Sequence, residues 1–98
     1  MSPIVNIAIL IKHPRLFHQA RHCARELIDA GARVVLYCLC ANMSDKDQRD
    51  QLPLLRRMAL AAECYLDDPQ LADRYGLSFM PIGRLTEKLK DADRVMPF

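Results

Sequence analysis

Ile4-Val5-Asn6-Ile7-Ala8-Ile9-Leu10-Ile11 is an apolar, largely β-branched run broken only by Asn6. Such a run predicts a strand covered on both faces, as in parallel sheets flanked by helices. Residues 14–30 then change period. Phe17, Ala20, Ala24, Leu27 and Ile28 make one stripe, and His18, His22, Arg25 and Asp29 make the opposite one, which predicts an amphipathic helix. Gly31 stands where a helix ends in left-handed geometry. A second buried strand follows over 32–40, containing Arg33-Val34-Val35-Leu36-Tyr37-Cys38-Leu39-Cys40.

Further along, residues 42–51 are almost wholly polar and read as a solvent loop, and 52–62 as a short Leu/Ala-rich helix. Residues 64–66 read as a brief third strand. Asp68 then caps a small helix over 69–75, with Pro69 at its first position and Gly76 at its end. Ile82, Leu85 and Leu89 give a narrow helical stripe over 81–91. Residues 94–98 read as a last strand, with Pro97 marking an edge. Strands alternating with helices imply a small three-layer α/β/α domain with a mostly parallel sheet of about four to five strands. The first strand, the most apolar, is expected at its centre.

The chain has 98 residues, which fits a single domain over 1–98. It is 51% hydrophobic and 27% charged, a globular composition, and so small a core makes homo-oligomerisation a natural further source of stability. A net charge of +2, with acids and bases interleaved, argues against nucleic acid. No apolar run reaches membrane-spanning length, and no basic region precedes an apolar one as in a signal peptide. The expectation is a cytoplasmic protein without membrane attachment, in which four cysteines serve as thiols, ligands or catalysts rather than disulfides.

Cys64 is the leading candidate for chemistry. It stands at the end of a short strand-like segment with a helix start following at once, where a positive dipole end favours a thiolate. Glu63, Asp67 and Asp68 oppose that by raising the thiol pKa, or select a basic partner surface. An inert cysteine packed at a strand end is the competing reading. Cys38 and Cys40 share one strand face with α-carbons about 6.6 Å apart, near the upper limit for a disulfide. They are core residues, partial metal ligands or, for Cys40, a resolving thiol for Cys64. His13, where the first strand ends, is a candidate neighbour of Cys40 and Cys64. His18 and His22, spaced i, i+4, lie on a solvated face and supply too few ligands for zinc, and Cys23 reads as packing. Three glycines, at 31, 76 and 83, cannot build a phosphate loop or dinucleotide fingerprint. With no Cys-x-x-Cys, no His-Glu-x-x-His and no calcium loop, no metal and no cofactor is expected, and a metal-responsive module using cysteine and histidine is only a third reading.

The opening strand and long helix, the segment Ala30-Gly31-Ala32-Arg33-Val34-Val35-Leu36-Tyr37, Cys64 followed by Arg74-Tyr75-Gly76, and the closing Asp91-Ala92-Asp93-Arg94-Val95-Met96-Pro97-Phe98 together resemble the DsrE/DsrF-like sulfur-relay family. The resemblance runs along nearly the whole chain and rests on order and spacing. It departs from the family where Tyr75 intervenes between Arg74 and Gly76, and in a shorter stretch between the second and third strands. It implies a compact α/β fold that often oligomerises, and a cysteine persulfide passed between donor and acceptor proteins. On that resemblance Cys64 is the sulfur-carrying residue and Arg74 its cationic neighbour. A non-catalytic oligomeric scaffold or binding subunit of the same fold is the alternative, because fold alone does not confer the chemistry.

Overall fold

A computed structural model describes residues 4–98; Met1, Ser2 and Pro3, which belong to the expected 1–98 domain, lie outside the described residues. Five strands form one all-parallel sheet: β1 (Asn6–Ile11), β2 (Arg33–Cys38), β3 (Glu63–Leu66), β4 (Ser78–Phe79) and β5 (Arg94–Pro97), in the order β4-β3-β2-β1-β5. Four helices connect them: α1 (Phe17–Asp29), α2 (Asp45–Met58), α3 (Pro69–Tyr75) and α4 (Ile82–Lys90). A short 3-10 turn, Pro14–Leu16, leads into α1.

Register assigns the faces, because side chains alternate along each strand. Ile9 pairs with Leu36, and Leu36 with Cys64, so these point to one side. There they meet Phe17, Ala20 and Ala24 of α1, Leu52, Leu55 and Met58 of α2, and Leu71 and Ala72 of α3 in a single buried cluster. The opposite side, with Ala8, Leu10, Val35 and Tyr37, is covered by α4 through Leu85 and Leu89, which bound a cavity of about 170 Å³. Three helices below and one above the sheet make the three layers. Being an edge strand, β5 accommodates Pro97 as expected. β1 is bonded on both sides, but β2, not β1, is the middle strand.

Two elements differ from the sequence expectation. The polar stretch expected as a loop over 42–51 becomes helical at Asp45, so α2 takes in most of it. Its start is fixed by a capping box: the Asp47 N–H donates to Ser44 Oγ and the Ser44 N–H to Asp47 Oδ2, both at 3.1 Å. An i, i+4 pair between Lys46 and Asp50 supports the first turns. Truncating the cap, Ser44→Ala, should lower stability by about 0.5–2 kcal/mol, read as a drop in the urea midpoint. β4 was not expected at all; two residues are too few for periodicity to register, yet Ser78 and Phe79 extend the sheet beside Tyr65 and Leu66. The expected helix end is met at Gly76, whose φ of 68° is the left-handed cap.

Candidate functional site

In open parallel sheets ligands gather at the carboxyl ends of the strands. Here that edge carries Lys12 and His13 after β1, residues 39–43 after β2, Asp67 and Asp68 after β3, Met80 after β4, and Phe98 after β5. Asp68 caps α3, accepting from the N–H groups of Gln70 (2.9 Å) and Leu71 (3.1 Å). Its neighbour Asp67 reaches across to β2, where its Oδ1 accepts from the Cys40 N–H at 2.8 Å. Beneath it the Tyr37 hydroxyl donates to the Met80 carbonyl, tying β2 to the start of the α4 connection. Burial, then the Asp67 carboxylate and the Cys40 thiol, push the Tyr37 hydroxyl above its ordinary pKa. Beside β1, the N–H groups of Lys12 (2.7 Å) and His13 (3.2 Å) both donate to the Phe98 carbonyl, so backbone closes the gap between β1 and β5. Nearby, Gln51 is buried and its Nε2 donates to the Pro14 carbonyl at 2.9 Å, while its Oε1 has no partner.

Cys64 does not belong to this edge. β3 runs on to Leu66, so Cys64 is its second residue, level with Leu36 and Ile9. His13 and Cys40 each lie four residues further along their own chain segments than that level, about 13 Å of strand rise. The four candidates Cys64, His13, Cys40 and Arg74 are therefore not brought together. A Cys40–Cys64 disulfide is out of reach in the folded chain. His13 is exposed, and Arg74 is exposed in the last turn of α3.

The electrostatics at Cys64 also run opposite to the sequence argument. The thiol is buried, at 4% exposure, and points toward the Ala62 carbonyl, with an S···O distance of 3.8 Å. The cleft it lines is also lined by the carboxyl-terminal ends of α2 and α3, at Ala59 and Gly76, which present carbonyls rather than N–H groups. Burial, with a smaller contribution from Cys38, pushes the Cys64 thiol up to about 12, and Arg74 is not among the charges that act on it. A cleft of about 460 Å³ lined in part by Cys64, Ala62, Gly76 and Leu77 opens at this amino-terminal edge.

The other cysteines divide. Cys23 is half-buried on α1, and Cys38 and Cys40 are buried; all four are free thiols. Hydrogen bonding to Cys38, then burial, then the charges of Cys38 and Asp67 raise the Cys40 thiol pKa. His18 and His22 line an open basic cleft between α1 and α2 with Arg21, Arg25 and Arg57. His22 Nε2 meets Glu26 Oε1 at 3.2 Å in an exposed pair. Among the described residues no helix is long and apolar enough to cross a membrane.

Asp67, Tyr37 and Gln51 escape sequence reasoning, since each acts on a residue 27 or more positions away. Replacing Asp67 by Ala leaves the Cys40 N–H unpaired and should cost about 1–3 kcal/mol, whereas Asp67→Asn retains an acceptor and should cost less. Parallel chemical denaturation of the two variants checks the difference.

No protein-family model, no curated protein and no solved structure matches the chain.

Proposed function

We propose that the chain is a cytoplasmic DsrE-like subunit that works by assembly and binding, not by carrying sulfur on Cys64. The observation behind this reading is the Cys64 thiol: buried, beside a cleft that the carboxyl-terminal ends of α2 and α3 also line, and pushed up to about 12. Sulfur relay needs a thiolate to attack the terminal sulfur of a donor persulfide, and that setting withholds one. The assembly partner is a second copy of the chain. One helix, α4, covers the upper face of a five-strand sheet and leaves Ile4 (69% exposed), Ile82 (61%) and Val95 (41%) in water. Burying such residues between copies supplements the limited core of a small domain.

Analytical ultracentrifugation and persulfide mapping test the two parts. Wild type should sediment as a dimer or larger, Ile82→Asp should shift toward monomer, and Cys64→Ala should change neither. A wild-type monomer at micromolar concentration would overturn the assembly reading.

A second reading, persulfide transfer between donor and acceptor proteins through Cys64, is favoured by the cleft that opens beside this thiol. It requires that a sulfane-sulfur donor add one sulfur atom to Cys64 in the native protein and none to Cys64→Ala. Alanine is the better replacement here, because a serine hydroxyl would be buried without a good partner.

A further inference from the structure

Three sulfur side chains converge where β2 leaves the sheet. Cys38 ends β2, and Leu39-Cys40-Ala41-Asn42-Met43 folds back over it, closed by the Met43 N–H donating to the Cys40 carbonyl at 3.0 Å. Cys38 Sγ lies 4.0 Å from Met43 Sδ, and the Cys40 thiol turns back toward the Cys38 carbonyl, with an S···O distance of 3.9 Å. All three residues are buried, at 1%, 7% and 8% exposure. The pattern reads Cys-x-Cys-x-x-Met, and its methionine, which the sequence reading of the two thiols left out, supplies the third sulfur.

We propose that Cys38, Cys40 and Met43 form a site for a soft monovalent metal ion, Cu(I) in particular. Donor chemistry selects the ion. Among the described residues no group of three or more His, Cys, Asp or Glu is placed to hold a metal, so a four-ligand zinc site is not built here. Thiolate and thioether sulfur are the ligands that select Cu(I). The spacing agrees: three sulfurs around one ion at about 2.3 Å, 120° apart, stand about 4.0 Å from each other. That is the separation of Cys38 Sγ and Met43 Sδ. Ala41 and Asn42, both exposed, form the turn between Cys40 and Met43 at the carboxyl edge of the sheet, so the chain that carries the sulfurs meets solvent there.

Binding is ligand exchange without change of oxidation state. Cu(I) enters as the monovalent ion, the two S–H bonds break, both protons leave to solvent, and two Cu–thiolate bonds and one Cu–thioether bond form. The product carries one negative charge. The Asp67 carboxylate on the Cys40 N–H opposes that charge, so Asp67→Asn should bind more tightly than wild type. The site does not use Cys64, and it stands or falls separately from the assembly reading.

The test is an anaerobic titration of the reduced full chain with Cu(I), in competition with the chromophoric chelator bicinchoninate. Wild type should withdraw one equivalent and develop an ultraviolet thiolate-to-copper absorption. Met43→Leu, close in volume, should fold and bind at least about tenfold more weakly, a loss of about 1.4 kcal/mol. Cys38→Ala and Cys40→Ala should lose the absorption, while Cys64→Ala and Cys23→Ala keep it. A folded site also raises thermal stability when loaded, which a thiol pair in an unfolded chain cannot do. Failure to withdraw copper from the chelator would overturn the proposal. So would Met43→Leu binding as tightly as wild type, or urea-unfolded protein binding equally well.

Discussion

Cys64 in the native protein is expected to react with a disulfide reagent at pH 7.5 about 30- to 70-fold more slowly than Cys64 in the unfolded chain, before any loss of access is counted. A thiol raised from 9.0 to about 12 holds about a thousandfold less thiolate at neutral pH. A more basic thiolate attacks faster, with a Brønsted slope near 0.4–0.5, which returns about 15- to 30-fold. Burial at 4% exposure slows the reaction further. Site-resolved labelling with the disulfide reagent, read by peptide mass spectrometry, should show the Cys64 rate climbing with pH through 10 without a plateau. A fast rate levelling off near neutral pH is the result that would return sulfur relay to first place.

The same thiol makes stability depend on alkaline pH, and the sign follows from the direction of the shift. The folded chain keeps the Cys64 proton to a higher pH than the unfolded chain does. Its contribution is therefore complete below pH 9 and declines between 9 and about 12, by up to about 1.4 kcal/mol per pH unit. Cys40 and Tyr37 are raised as well and add to this loss, so Cys64→Ala should flatten the alkaline slope without removing it.

The contrast between what was legible in the sequence and what was not has one physical root: local signals carry the elements, long-range pairings carry the site. β1 and β2 are legible because both faces of a central parallel strand are covered, which demands continuous apolar runs. α1 and α3 are legible from their stripe, from Asp68 and Pro69, and from Gly76. The start of α2 is not, because its first turns face water and only Ser44 and Asp47 mark them. Cys64 was misjudged by position rather than by type. A strand's side-chain period sends it to the same face as Leu66, under α2 and α3, and two further residues of β3 separate it from the edge. Met43 joins Cys38 only because residues 39–43 fold back, a turn that neither strand nor helix periodicity announces.

Phe17→Ala is expected to be the most damaging single substitution of those considered, at about 3–5 kcal/mol. Phe17 is the first residue of α1 and has no exposed surface. It fills the space where α1 meets the sheet in the cluster with Ile9, Ile11, Leu36 and Leu52, and little backbone can collapse into the vacancy because parallel strands fix one side of it. A domain of this class is stable by only about 5–15 kcal/mol, so the loss removes a large share of it. With a urea slope of about 1–3 kcal/mol per molar, the midpoint should fall by about 1–5 M. Leu60→Ala is the matched control: it deletes a leucine that is 85% exposed and should shift stability by less than about 0.5 kcal/mol. Equal effects from the two would mean that α1 is not seated on the sheet through Phe17. The face carrying Cys64 and the three sulfurs after β2 would then lack the packing that holds them buried.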